Sequence, residues 1–130
     1  MKVLVVGGNG GIGAGLVNAI LESNDDAIVH ATYRQALPSF THDRLNWHQL
    51  DVTHEESFKK LASEVKEVDW IINCVGMLHT KEKGPEKAIR SIEPDFFMDS
   101  FRINTLPSLL LAKYFFRSIL ASPPTVFAVV

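Results

Sequence analysis

Val3-Leu4-Val5-Val6-Gly7-Gly8-Asn9-Gly10-Gly11-Ile12-Gly13 is the stretch on which the reading of this chain turns. Val3 to Val6, apolar without a break, predict a buried strand. Ile12, Leu16, Val17, Ile20 and Leu21 then recur at helical spacing as far as Ser23-Asn24-Asp25. The glycines therefore stand between a strand and a helix. Glycine there meets three needs: the chain turns tightly, the backbone can approach a diphosphate, and the helix can pack close to the strand. A helix N-terminus adds free N–H groups and a partial positive charge, both suited to an anion. No Gly-Lys-Ser/Thr follows, which excludes a triphosphate loop. Three spellings fit at once: Gly8/Gly10/Gly13, Gly7/Gly11/Gly13 and Gly7/Gly10/Gly13. The competing reading is a strand–helix turn that binds nothing.

Outward from this loop, short apolar runs alternate with helical segments, the pattern of βαβ units around a parallel sheet. Ala27 to Tyr33, Leu45 to Leu50, Asp69 to Val75 and Thr125 to Val130 are the further predicted strands, the fourth of them apolar on both faces and so central. Residues 34 to 44, with Pro38, Ser39, Thr41 and Asp43, read as a loop or a poor helix. Thr53 with Glu56 three residues on predicts a capping box, ahead of Phe58, Leu61 and Val65 on one helix face. His79 to Lys87 is a charged surface loop. Glu86 to Ala121 is helical, with Pro94 and Pro107 as breaks or first-turn residues. The fold class expected is α/β, a Rossmann-type doubly wound parallel sheet. The sequence stops inside the fifth strand, so residues 1 to 130 are expected to be one dinucleotide-binding domain, incomplete at its C-terminus, of a longer polypeptide.

Bulk composition narrows the partners. The 130 residues are 46% hydrophobic and 22% charged with a formal net charge of −2, which offers no electrostatic basis for nucleic-acid binding. The apolar region Leu109 to Phe116 is interrupted by Lys113 and cannot span a bilayer. Cys74 is the single cysteine, so a disulfide framework is ruled out and a reduced, cytoplasmic setting is expected. The five histidines show no ligand spacing, and no metal site is expected.

Later features choose among the glycine spellings. Asp51-Val52-Thr53 closes the third strand, Asn73-Cys74-Val75-Gly76 the fourth, and Asn104 follows in Phe101-Arg102-Ile103-Asn104. With Gly7-x-x-x-Gly11-Ile12-Gly13, this order resembles the classical short-chain dehydrogenase/reductase family along the whole chain. The family writes its loop T-G-x-x-x-G-I-G and its fourth strand N-N-A-G; here Val6 replaces the threonine, and Cys74 and Val75 replace the second asparagine and the alanine. Ile72-Asn73-x-x-Gly76-Met77-Leu78 points to the C-factor or sniffer-like subgroup.

That resemblance implies a Rossmann fold that moves hydride between a nicotinamide and a small carbonyl or alcohol substrate. It implies cofactor contacts from Gly7, Gly8, Asn9, Gly10, Gly11, Ile12, Gly13, Asp51, Val52, Asn73, Cys74, Val75 and Gly76. Asp51 would accept from the adenine amino group, with Val52 beside the ring; the alternative is a capping or loop carboxylate. Gly76 would let the cofactor approach, or is an ordinary turn glycine. Asn104 would hold a water in a proton relay, or merely interrupts a helix before Pro107. The family's catalytic serine and Tyr-x-x-x-Lys are missing, because Leu37 stands four residues after Tyr33 and Ser118 four after Tyr114. Residues 1–130 alone are therefore not expected to turn over substrate. A non-catalytic dinucleotide-binding regulator is the second reading, and an extended-type sugar-nucleotide epimerase or reductase the third, against which Asn73, Gly76 and Asn104 argue. The full-length protein is expected to be a homo-oligomer.

Arg34 bears on the cofactor. A site for NAD places an acid at the end of the second strand, about twenty residues past the glycines. Thr32-Tyr33-Arg34 stands there, with no carboxylate before Asp43. A guanidinium pairs with a 2′-phosphate and stacks on adenine, so NADP is favoured over NAD; a solvated surface arginine is the alternative. Cys74 reads as a small buried residue rather than a nucleophile. Phe96, Phe97, Phe101, Phe115 and Phe116 read as core. The family's use of the helix after Asn104 as a dimer interface is the competing role for Leu109 to Phe116.

Overall fold

Because Val3, Leu4, Val5 and Val6 are all buried, the first strand must be covered on both faces, and the remaining elements are arranged to do that. The computed structural model describes residues 1–121 and 123–130. Its strands are β1 (Lys2–Val6), β2 (Ile28–Tyr33), β3 (Leu45–Gln49), β4 (Trp70–Asn73) and β5 (Val126–Val129). All pair in parallel in the order β3-β2-β1-β4-β5. The helices are α1 (Gly11–Ser23), α2 (Glu55–Val65), α3 (Pro94–Asn104), α4 (Leu106–Tyr114) and α5 (Phe116–Ile119), with a 3-10 turn at Ile89–Ser91. The doubly wound parallel sheet expected from the sequence is what forms.

Side chains alternate across β1, so its odd and even residues feed two cores. Val3 and Val5 join Val29, Ala31 and Ile72 beneath Val17 and Leu21 of α1. Leu4 and Val6 join Ile71 against Phe58, Leu61 and Val65 of α2, with Leu111 and Phe115 completing that layer. β4 lies between β1 and β5, as its apolar character on both faces requires. Residues 34–44 form no helix. There the Trp47 indole N–H donates to the Phe40 carbonyl at 2.8 Å and pins the loop back to β3. Arg44 does for α1 what no residue of its last turn does: its guanidinium donates to the carbonyls of Leu21, Asn24 and Ala27. A cation at the negative end of a helix also favours the macrodipole.

Three local expectations need correction. Thr53 does not form a capping box, because its hydroxyl donates to Asp51 Oδ1 at 2.6 Å and its own N–H to the same oxygen at 2.9 Å. His54 holds the N-cap position of α2, and no side chain caps it. The helical span from Glu86 is not continuous; it breaks at Thr105 and Phe115, with Pro94 and Pro107 in first turns as their fixed φ favours. The phenylalanines do not share one core. Phe115 is buried and Phe96 half-buried, whereas Phe97, Phe101 and Phe116 are exposed. The breaks explain it, since α3 buries no residue and only Leu111 and Pro107 of α4 turn inward. Leu109 faces outward.

His30 on β2 and His48 on β3 sit on one sheet face with Nδ1 and Nε2 at 2.9 Å, and His48 Nδ1 lies 2.9 Å from Glu64 Oε2 on α2. One nitrogen of the imidazole pair must donate and the other accept, so both rings cannot be doubly protonated without opening the contact. Burial pushes the His30 imidazole down, with His48 and Lys2 of β1 adding to it. Lys60 stands behind Glu64 on α2. The unfolded chain takes up a proton near the ordinary value of 6.5 that the folded chain refuses until lower pH. Stability contributed here is full above that value and is lost as pH falls below it. Thermal melts at about pH 7 and about pH 5 should show a drop in Tm that His30→Asn reduces. An unchanged drop in the variant would assign the acid sensitivity elsewhere.

Candidate functional site

The glycine turn begins where β1 ends, and Gly7 is its pivot. Gly7 has φ +80°, a conformation that disfavours any side chain. Its carbonyl accepts from Gly10 N–H at 3.0 Å, and Gly10 in turn accepts from Ala14 N–H at 2.7 Å as the N-cap of α1. A Cβ on Gly13 would overlap the Gly7 carbonyl, and one on Gly8 would lie 2.7 Å from Ala31 Cβ. Gly7, Gly8 and Gly13 are thus required by the chain's own packing. Gly11 is different: a Cβ there would touch nothing within 4 Å. It is the first residue of α1, whose first turn holds no acidic residue and whose N-cap offers no side-chain oxygen. Ile12 beside it is 62% exposed, a large apolar side chain outside the core. The turn therefore leaves an uncapped positive helix end facing open space, which fits a pyrophosphate.

β4 ends next to this turn, across the point where strand order reverses between β1 and β4. Asn73 is fully buried; its Oδ1 accepts from Val75 N–H at 3.1 Å and its Nδ2 donates to Ser108 Oγ at 3.0 Å. Cys74 N–H continues the ladder to the Val6 carbonyl. Cys74 is half-buried rather than buried as expected, and burial still pushes its thiol up, against a role as nucleophile. Val75 packs against the pivot, its Cγ2 3.0 Å from where a Gly7 Cβ would be. A Cβ on Gly76 would make only an ordinary contact, at 3.4 Å from Asn104 Oδ1. The Asn104 amide clamps the loop after β4: Oδ1 accepts from Met77 N–H at 2.6 Å, and Nδ2 donates to the Met77 carbonyl at 2.7 Å and to Ser100 Oγ at 3.1 Å. Ser108 and Met77 are partners that sequence reading missed, and no local pattern marks them.

Two predicted contacts stand at the far side. Arg34 is exposed just past β2, and its carbonyl accepts from Gln49 Nε2. Among the described residues no carboxylate lies within ion-pair distance of its guanidinium. Asp51 Oδ1 is held by Thr53, and Oδ2 lies 3.1 Å from His54 Nδ1. The Thr53 hydroxyl, then its N–H, hold the Asp51 carboxyl below its ordinary value despite some burial. Val52 packs against the α2-side core. Tyr114 donates to Glu55 on α2, and that bond pushes its phenol up, so it is no poised acid or base.

A cavity of about 480 Å³ opens beside Gly8 and Asn9, walled by Val17, Pro38, Phe40 and Trp47. A larger one, about 970 Å³, lies at the strands' N-terminal ends against Lys2 and Asp69. Open α/β sheets bind ligands at the opposite, C-terminal ends, so the larger volume is the wrong edge. Among the described residues, no group of His, Cys, Asp or Glu side chains is placed to hold a metal ion, and no helix is long and apolar enough to cross a membrane.

A parallel sheet with a strand–glycine turn–helix at its reversal point defines a dinucleotide-binding α/β protein. The model of the "NAD dependent epimerase/dehydratase family" matches residues 3–93, and the chain belongs to that family. Benzil reductase ((S)-benzoin forming) IRC24 of Saccharomyces cerevisiae is 28% identical over 123 residues, covering 84% of this chain and 47% of the yeast protein. NADPH-bound carbonyl reductase from chicken fatty liver superposes with a TM-score of 0.76 at 26% identity, over 89% of this chain and 47% of its own. Sniffer of Caenorhabditis elegans shares the fold, with a TM-score of 0.73 at 24% identity over 89% of this chain and 52% of its own. The chain thus spans about half the length of the curated relative it matches. These neighbours bear out the short-chain resemblance. The family match ends before Asn104, so it covers the glycine loop, Asn73 and Gly76 but not Asn104.

Proposed function

We propose that residues 1–130 are the cofactor-binding portion of an NADP-dependent short-chain oxidoreductase acting on a small carbonyl or alcohol. The observation that carries this is the Gly7–Gly13 turn, in which Gly11 alone is left open at an uncapped helix N-terminus facing the β1/β4 crevice. When bound, the cofactor supplies hydride from its nicotinamide. The chain's part is to hold and orient. N–H groups of Gly11, Ile12 and Gly13 take the pyrophosphate, Gly8, Asn9 and Gly10 line its approach, and Ile12 offers an apolar contact. Asn73, Cys74, Val75 and Gly76 form the wall of the crevice, with Gly76 leaving room. Asp51 and Val52 serve the adenine end through the carboxylate's free lone pairs and the half-buried valine. Asn104 fixes the Met77 loop beside the nicotinamide end, which keeps it in the relay as a positioning residue. A reduced, cytoplasmic setting suits the free Cys74 thiol, and a homo-oligomer suits the outward Leu109 and Phe116.

The family description names NAD, while chicken carbonyl reductase carries NADPH. Arg34 favours the phosphate-bearing form, because an exposed guanidinium without a carboxylate partner is available to a 2′-phosphate. Calorimetric titration of the intact protein should give tighter NADPH than NADH binding, by about tenfold or 1.4 kcal/mol, and Arg34→Ala should erase the difference. Equal affinities in the native protein, or a preference that survives the substitution, would mean that Arg34 does not select the cofactor. Carbonyl-dependent NADPH oxidation by the intact protein separates the enzyme from a non-catalytic dinucleotide-binding regulator, which would bind without turnover.

A further inference from the structure

The pivot of the glycine turn is held from a neighbouring strand. Gly7 N–H donates to Thr32 Oγ1 at 2.9 Å, while the Gly7 carbonyl receives Gly10 N–H. Thr32 is 2% exposed, in the last-but-one position of β2. The strands are in register to Val5 and Ala31, so Thr32 lies level with Val6, on the face that carries Leu4 and Val6. Val6 has no hydroxyl to offer, and the Gly7 amide, one residue past the end of β1, would otherwise be a half-buried donor with no acceptor. Thr32 supplies that acceptor. With both the N–H and the C=O of Gly7 engaged, the turn has a fixed direction, and that direction sets where the Gly11–Gly13 amides aim.

We infer that Thr32 is the positioning residue of this loop: its hydroxyl orients the pivot so that the first-turn amides of α1 converge on the pyrophosphate. The inference rests on the dinucleotide reading of the loop. Thr32 touches no ligand in this arrangement, so its effect falls on the pyrophosphate end common to NADP and NAD. Binding of both forms should weaken together, with their ratio unchanged, in contrast to Arg34→Ala.

The test is titration of the intact protein and its Thr32→Val and Thr32→Ser variants with NADPH and NADH, alongside amide hydrogen exchange. Thr32→Val keeps the shape and removes the acceptor; it should raise both dissociation constants about tenfold. Thr32→Ser should restore them, which a loss of packing at this site would not allow. In the native protein the Gly7 amide should be protected from exchange relative to Gly11, and in Thr32→Val the faster exchange should be confined to residues 7–13. Native affinity in Thr32→Val, or no rescue by serine, overturns the inference. Should Thr32→Val fail to fold, the native exchange pattern decides: a Gly7 amide that exchanges as fast as Gly11 overturns it. A native protein that binds neither dinucleotide defeats the functional reading instead, and Gly7 protection still reports whether Thr32 holds the turn.

Discussion

Gly13→Ala should destabilise the protein by at least about 3 kcal/mol, the upper end of what overpacking costs, because the new methyl meets backbone rather than a movable side chain. The Gly7 carbonyl oxygen and carbon and Gly8 Cα all crowd that position. Relief would require α1 to move away from β1, opening the layer in which Val17 and Leu21 cover Val3 and Val5. Against a typical total of about 5–15 kcal/mol this is a large fraction, and urea unfolding reads it as a fall in midpoint at constant slope. Gly11→Ala is the control. Its methyl has no neighbour within 4 Å, and alanine suits a helix better than glycine, so stability should hold or rise by about 0.5–1 kcal/mol. Dinucleotide affinity should nevertheless drop if the open space is where the pyrophosphate lies. A stable Gly13→Ala would contradict the packing account, and an undiminished affinity in Gly11→Ala would move the ligand away from α1.

Asn73→Leu should cost about 2–4 kcal/mol. Leucine keeps the branched skeleton but is bulkier, and it strands two groups at once: Val75 N–H loses its acceptor and Ser108 Oγ its donor, each worth about 1–3 kcal/mol when buried. Ser108→Ala should cost less, about 1 kcal/mol, since it leaves only the Asn73 amide short of one acceptor. Thermal unfolding of the two singles and the double gives their coupling; contacting residues should show about 0.5–3 kcal/mol. Independent, additive losses would mean that the Asn73–Ser108 bond does not tie the end of β4 to α4. This tie matters to the site because Asn73 sets the wall of the crevice and α4 follows directly on the helix that ends in Asn104.

How much of this was legible in the residues depends on the range of the force involved. Val3 to Val6, the helical spacing after Gly11, and the apolar fourth strand report burial through local periodicity, which any reader of the sequence meets directly. Their alternation required a parallel sheet, and the sheet formed with the reversal where the glycine turn lies. Pro94 and Pro107 announced helix starts through their fixed φ. Thr53 misled because a hydroxyl before a helix has two acceptable partners; Asp51, two residues back, won over the helix amides. The phenylalanines misled because apolarity says that a side chain prefers burial and not what the helix breaks at Thr105 and Phe115 will turn it towards.

The glycines show the division most clearly. Seven residues with five glycines fixed that the backbone must turn and be approached closely, and left three spellings equal. Asp51, Asn73, Gly76 and Asn104 favour the Gly7/Gly11/Gly13 spelling, and tertiary contacts give each glycine its reason: Gly13 is required by the Gly7 carbonyl, Gly8 by Ala31, and Gly11 by nothing within 4 Å, which leaves it to the ligand. The same holds for Thr32, Ser108 and Met77, whose partners lie 25 to 35 residues away and enter through strand register and helix docking. Local sequence thus determined the fold class and the kind of ligand, because periodicity and turn chemistry act within a few residues. Which atoms hold the turn was decided by contacts between strands, since a hydroxyl on β2 reaches a glycine on β1 only once the sheet has formed.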